Sequence, residues 1–257
     1  MYNPHFCGKG ENMRYLITLS YDGTNYKGYQ TQPGLITIQE QIEKALTKIN
    51  NGKKTAFTSS GRTDKGVHAK MQCGHADLDI NITEYKLKRA MNSNLPEDIH
   101  VIKTEKVADD FHARYNVLEK TYEYYMNIGE YNPIERNYVF QYNYKLNVEK
   151  MQEGIKYLLG EHDFRAFVTE NKEKENCIRT ISKATIEKIN DNIIRFTFTG
   201  NGFLRYQIRN MVGILIRVGE EKESPEYVEY FLNKKDRSKG GKTAPAEGLY
   251  LTNIRYK

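Results

Sequence analysis

The chain has no tryptophan, only three cysteines among its 257 residues, and six prolines. Cys7, Cys73 and Cys177 are odd in number and far apart, which excludes a disulfide framework and a CxxC zinc pattern. His68, Cys73 and His75 lie close in sequence but make only a half-site for a four-ligand zinc, so no metal is expected. No apolar run reaches membrane-spanning length, and the opening stretch MYNPHFCGKGENMR lacks the apolar segment of a signal peptide. A cytoplasmic protein is expected. Two nucleotide and phosphate motifs are also missing. Gly61 and Gly66 have P-loop spacing, but Val67-His68 follow where Lys-Ser/Thr is required. YDGT (21–24) has the outline of an aspartyl-phosphatase signature, yet Ser20 stands where the nucleophilic acid belongs.

What the chain does have is aromatic and basic. Twenty tyrosines and ten phenylalanines accompany 39 Lys and Arg against 33 Asp and Glu, for a formal net charge of +6. Tyrosine interleaved with cations suits phosphate contact and base stacking, although strand packing absorbs many aromatics in any sheet protein. With 39% hydrophobic and 28% charged residues, the composition is that of a globular chain with a sizeable core.

Hydrophobic periodicity sets out two halves of similar rhythm. RYLITLSY (14–21) alternates as a strand and ends at the turn Asp22-Gly23. TIQEQIEKALTKIN (37–50) carries Ile38, Ile42, Ala45, Leu46 and Ile49 at helical spacing, with Thr37 as N-cap and Asn51-Gly52 as stop. TAFTSS (55–60) and MQCGHADLDI (71–80) read as strands, 83–91 as a helix and IHVIKTEKVA (99–108) as a strand. The order βαββαβ favours an antiparallel sheet with helices on one face. Beyond it, KTYEYYMNI (120–128) is a strand and VEKMQEGIKYLLG (148–160) a helix stopped by Gly160. RTISKATIEKI and IIRFTFTG form a hairpin around Asn190-Asp191. FLRYQIRNMVGILIRVG (203–219) is a long helix, 225–233 another, and GLYLTNIRY the closing strand. The expected division is a flexible tail over 1–12, an α+β half over 13–110 and a second over 111–257, with a cleft between the halves. Charged loops fall at 169–176 and 233–243; both read first as solvated loops, and the second, strongly basic, could touch phosphates.

The stretch SSGRTDKGVHA (59–69) sets one acid, Asp64, between Arg62 and Lys65 in a glycine-bracketed loop. A carboxylate flanked by cations has its charged form favoured, so a low pKa is expected. Such a group is a poor general acid but serves as nucleophile, weak base or electrostatic stabiliser. A turn-surface ion pair explains the loop equally well when the loop is taken alone. Two other features favour the chemical reading. Arg209-Asn210 interrupt an apolar helical run, one turn after Arg205; a guanidinium beside a buried stripe either snorkels to solvent at its edge or needs an anionic partner. Tyr122 and Tyr124 share a strand face with Lys120, an aromatic surface beside a cation.

Seven ordered segments together resemble the tRNA pseudouridine synthase A family: YDGTNYKGYQTQ (21–32), GRTDKGVHA (61–69), NLPEDI (94–99), DDFHARYNVLEKTYEYY (109–125), LLGEHDFRAF (158–167), NGFLRYQIRNMVG (201–213) and AEGLYL (246–251). The resemblance implies a pseudouridine-synthase-like α+β fold, its two βαββαβ-type halves sharing a central antiparallel sheet and bounding a basic cleft. It implies isomerisation of uridine to pseudouridine at positions 38, 39 and 40 of the tRNA anticodon arm, by a homodimer that uses no cofactor and no metal. On the family pattern Asp64 is the catalytic carboxylate, Tyr122 stacks on the target base, Arg209 pairs with Asp64, and Arg62 displaces or holds the flipped nucleotide. Phe203 and Leu249 line the pocket, and Lys65 and His68 of the same loop complete the substrate-binding set. Tyr29 stands where the family usually has tryptophan. A non-catalytic tRNA-binding or tRNA-folding module, or a paralogue with narrowed site choice, are the alternative readings. A methyltransferase using a thiolate is disfavoured, because Cys73 lies mid-strand and no glycine-rich donor motif is present.

Overall fold

The computed structural model describes residues 12–168 and 176–257. Cys7, the tail up to residue 11 and all but the last residue of the 169–176 loop lie outside the described residues. The first half runs β1 (Met13–Tyr21), α1 (Ile38–Ile49), β2 (Thr58–Ser59), β3 (His68–Leu78), α2 (Glu84–Asn92) and β4 (Ile99–Lys106). The second runs β5 (Val117–Asn127), β6 (Phe140–Gln141), α3 (Val148–Gly154), β7 (Gly160–Asp163), β8 (Ile178–Lys188), β9 (Ile193–Gly200), α4 (Gln207–Gly219), α5 (Tyr227–Lys234) and β10 (Leu249–Tyr256). All ten strands form one sheet in the order β4-β1-β3-β10-β5-β9-β8-β7, with β2 beside β3 and β6 beside β5.

The two halves share a topology. Without the short β6 and β7, each lays its fourth strand beside its first, then its third, then its second: β4-β1-β3-β2 and β10-β5-β9-β8. They meet where β3 runs parallel to β10, in a pairing limited to His68 with Tyr250 and Ala69 with Leu251. β5 and β6 are also parallel, so the sheet is mixed rather than purely antiparallel.

Packing explains most of the elements. Helix α1 buries Ile38, Ile42, Ala45 and Leu46 along one face, against a sheet face carrying the fully buried Tyr15, Ile17 and Leu19. In the second half Tyr124, Phe196 and Phe198 are fully buried with Met211, Val212 and Leu215 of α4. Each such side chain contributes about 1.5–3 kcal/mol on leaving water. Gly213 is required on α4, because a Cβ there would lie 2.0 Å from the Lys242 carbonyl. That close approach brings the 242–244 segment along the helix.

Beyond shifts of a few residues at other ends, three elements differ from the periodicity. The strand expected over 55–60 shrinks to two residues. The 148–160 helix ends at Gly154 and continues as a 3-10 turn over Ile155–Leu158. The long helix begins at Gln207, not at 203. Tyr206 adopts a left-handed backbone (φ 63°), and the Gln207 side chain accepts the Leu204 N–H at 2.8 Å. Residues 203–206 therefore form a separate turn that projects toward the seam between the halves.

Candidate active site

The loop before β3 is held from several sides. Ser60 N–H donates to Cys73 O at 2.8 Å, Tyr29 N–H to Thr63 O at 3.1 Å, and Val67 N–H closes a turn onto Asp64 O at 3.2 Å. Gly66 takes φ +78° to re-enter the strand, a conformation open to glycine at little cost. Beneath the loop the buried Gln72 carboxamide donates to Gly61 O at 3.0 Å and accepts from Ser60 Oγ at 2.7 Å. The buried Tyr21 hydroxyl meets Thr63 Oγ1 at 2.8 Å, and Lys120 Nζ donates to Ser60 O at 2.7 Å. Ser60, Gly61 and Thr63 thus tie the approach to Asp64 to β1, β3, β5 and the Tyr29 segment.

Across the seam, α4 supplies the partner. Arg209 Nη1 lies 3.4 Å from Asp64 Oδ2, bringing together residues 145 apart in sequence. Arg209 Nε donates to Ala244 O at 2.7 Å, and Ala244 N–H returns a bond to Arg209 O at 3.0 Å. This clamp, made possible by Gly213, fixes the guanidinium on a well-buried stem. Arg205 Nε stands 3.9 Å from Asp64 Oδ1. The two arginines flank the Tyr206 ring, at 4.8 and 5.3 Å from its centroid. Tyr122 is 8% exposed and meets Phe203 edge-to-face with centroids 5.3 Å apart. Leu249 is buried opposite Tyr124, on the same sheet face as Tyr122.

Several expectations are corrected. The cations at Asp64 are Arg209 and Arg205; its sequence neighbours Arg62 and Lys65 are exposed. The Asp64 pKa is raised, not lowered: burial dominates, and Arg209 and then Arg205 only partly offset it. His68 belongs to a different cluster. It is buried, accepts from Gly23 N–H through Nδ1 at 3.1 Å, bonds through Nε2 to Asn137 O at 2.9 Å, and stacks on Tyr250. Sequence reasoning set Arg205 beside Arg209 as a helical pair but did not place it in the site. Gln72, Tyr21, Thr63 and Ala244 were missed; a glutamine within a strand of otherwise buried residues was the one available signal.

An acid under two guanidinium groups, beside an aromatic pair, sets a positioned carboxylate next to a surface that can hold a planar ring. The chain belongs to the tRNA pseudouridine synthase family, whose model matches residues 17–116 and 155–257. It is 46% identical over 246 residues to tRNA pseudouridine synthase A of Streptococcus pneumoniae, spanning 95% of this chain and 99% of the relative. The protein of the same description from Streptococcus pyogenes is 46% identical over 247 residues, with the same shares. Among the described residues no helix is long and apolar enough to cross a membrane.

Proposed function

We propose that this protein isomerises uridine to pseudouridine at positions 38, 39 and 40 of the tRNA anticodon stem-loop, with Asp64 as the catalytic carboxylate. Membership of the family makes the chain an isomerase that converts uridine to pseudouridine. The observation that carries the finer reading is the Asp64–Arg209 pair, assembled from opposite halves at the seam. The reaction breaks the C1′–N1 bond, turns the uracil, and joins C5 to C1′; the proton lost from C5 balances the one gained at N1. No electrons are exchanged with an outside group and no atoms enter or leave, so the chemistry calls for no redox or group-transfer cofactor.

Either route to glycosidic cleavage, addition of the carboxylate to C1′ or proton abstraction from C2′, uses ionised Asp64. Burial makes that carboxylate more basic than an exposed one, and Arg209 stabilises its charge while holding it on target. Tyr122 and Phe203 form the surface on which the detached base is retained, with Leu249 behind them. Arg62, exposed at the loop's edge, displaces or holds the flipped nucleotide, and the exposed Lys65 beside it belongs to the same substrate-binding set. The halves 13–110 and 111–257 serve as the two walls of the cleft. A homodimer sharing the tRNA, working in the cytoplasm, completes the reading.

The test is pseudouridine formation in an unmodified tRNA with uridines at 38, 39 and 40. Wild type is expected to modify these positions, and Asp64→Asn to lose at least about 10²–10⁴-fold in rate, the span of a positioned acid–base group, while still binding. Binding without isomerisation in the wild type would make this an RNA-binding module instead. Full activity in Asp64→Asn would remove the carboxylate from the mechanism.

A further inference from the structure

Three cations from three separate segments lie within electrostatic reach of Lys120, counting Lys120 itself. Lys120 lies on β5 two residues before Tyr122, Arg179 at the start of β8, and Arg114 in the connection between β4 and β5. Lys120 Nζ donates to Ser60 O at 2.7 Å. Arg179 Nη1 donates to the carbonyls of Ile178 and Asn176 at 2.6 and 3.3 Å. Among the described residues no carboxylate pairs with any of the three. Their neighbour Glu119 points to the other sheet face, where it accepts from Arg255 and Ser182. The residues opposite Lys120 on β9 and β10 are Gly200 and Ile254, neither of them ionisable. In the loop facing Lys120, Arg62 and Lys65 are exposed and Asp64 is engaged by Arg209 and Arg205. On its own strand face, Tyr122 is a buried phenol held un-ionised.

Burial brings the Lys120 ammonium down to about 8, and the charges of Arg114 and then Arg179 push in the same direction. Like charges gathered without a counterion repel one another, and an arriving anion relieves that repulsion. These cations also connect the two working parts of the site. Gly61, in the catalytic loop, leaves its Cβ space to Lys120 Nζ, 2.8 Å away. Gly202, beside Phe203, has Arg179 Nε 3.7 Å from where its Cβ would stand.

We propose that Arg114, Lys120 and Arg179 form a phosphodiester subsite for an RNA backbone phosphate beside the extruded nucleotide, and that Lys120 is a positioning residue tying that phosphate to the Ser60 carbonyl of the Asp64 loop. The proposal rests on the reading of the substrate as RNA. An ammonium has three donors; one is on Ser60 O, leaving two for phosphate oxygens. Docking of the phosphate holds Lys120 charged, so RNA binding near pH 8 takes up a proton.

The experiment titrates unmodified tRNA into the full-length Asp64→Asn protein by calorimetry at pH 8, in two buffers of different ionisation enthalpy. Uptake of about half a proton per tRNA is expected. Adding Lys120→Arg, which keeps a cation that does not titrate, should abolish the uptake while leaving Kd within about threefold. Lys120→Gln, Arg114→Gln and Arg179→Gln should each weaken binding about 5–10-fold and reduce the salt dependence by roughly one phosphate contact. In the active background Lys120→Gln should lower kcat at saturating tRNA about tenfold and remove the basic inflection in the pH profile, with Lys120→Arg restoring most of the rate. Uptake that persists in Lys120→Arg, or an unchanged salt slope in all three glutamine variants, would overturn the subsite. A wild type that takes up the proton but forms no pseudouridine would overturn the isomerase reading and leave the subsite standing. A wild type that isomerises without Lys120-linked uptake would do the reverse.

Discussion

Asp22 and Asp64 occupy similar local sequences, each an acid in a glycine-bearing turn at the end of a strand near the seam, yet their surroundings differ. Asp22 accepts from Thr24 N–H at 2.9 Å, Thr24 Oγ1 at 2.6 Å and Tyr138 Oη at 2.8 Å. Partial burial raises its pKa, but those bonds outweigh it and the net direction is down. Among the described residues the Asp64 carboxylate has one long bond to Arg209 and a more distant Arg205, and burial wins. A carboxylate whose lone pairs are filled by local donors is a structural group. One that is buried, charged and left with unfilled lone pairs is available for chemistry.

The largest expected effect separates the two. Asp64→Asn should slow isomerisation by at least about 10²–10⁴-fold, as above, with Tm unchanged or raised. Its folded pKa lies above the unfolded value, so the ionised form is disfavoured by folding, and that cost grows as pH rises through the unfolded pKa. Asp22→Asn should do the opposite: activity within about threefold, and a loss of about 1–2 kcal/mol in denaturant unfolding from donors left poorly matched. Because the Asp22 pKa is depressed, its contribution is present above the unfolded value and disappears as pH falls through the folded one. Equal Tm losses for both variants would dissolve the distinction.

Next in size is Arg209→Lys. It keeps the charge but loses the fork that grips Ala244 O and Asp64 together. We expect kcat to fall about 10²-fold, with KM little changed. The acidic limb of the pH profile should move to higher pH, because the charge next to Asp64 is less well placed. A fall in binding alone would make Arg209 an RNA contact rather than a partner of the acid.

Tyr122 ranks third. Removing its ring in Tyr122→Leu should cost about 1–3 kcal/mol of transition-state stabilisation, the range of base–aromatic stacking, read as kcat/KM. Tyr122→Phe, which keeps the ring, should stay within about threefold. If the two variants were equally impaired, the hydroxyl and not the stack would be the working part.

How much of this was legible beforehand follows from the range of the interactions involved. Helix α1 was readable because Ile38, Ile42 and Leu46 repeat at its own period, and the β8–β9 hairpin because Asn190-Asp191 sits between two alternating runs. The start of α4 was not, since the stop is a left-handed Tyr206 answered by the Gln207 side chain, a local choice that periodicity does not encode. Asp64 and Arg209 stood out as charges in the wrong company. The direction of the Asp64 pKa did not, because burial, its dominant cause, arises from tertiary packing that the loop's own sequence does not show. The surroundings of His68 were hidden for the same reason. Its neighbours in sequence are catalytic-loop residues, but strand alternation turns its ring toward Tyr250 and away from that loop.

The finest test concerns the scaffold under the loop. Tyr21 is buried, its phenol pushed up to about 12 by burial, and among the described residues its hydroxyl meets Thr63 Oγ1 at 2.8 Å and, weakly, Gln72 Nε2 at 3.5 Å. Tyr21→Phe keeps the ring and the core volume, so packing is conserved and the change is confined to one bond. The expected loss is about 1 kcal/mol in stability. Thr63 is bonded through its carbonyl to Tyr29 N–H and precedes Asp64 directly, so releasing its side chain loosens the carboxylate without removing it. The reaction should therefore slow a few-fold in kcat, with KM and the pH profile unchanged. The contrast with Tyr138→Phe sharpens the comparison of the two acids. That variant also removes one hydroxyl bond, to Asp22, and should leave kcat untouched. A slowed Tyr138→Phe would mean that the Asp22 cluster is coupled to the catalytic loop through β3, and the two carboxylates would have to be treated as one site.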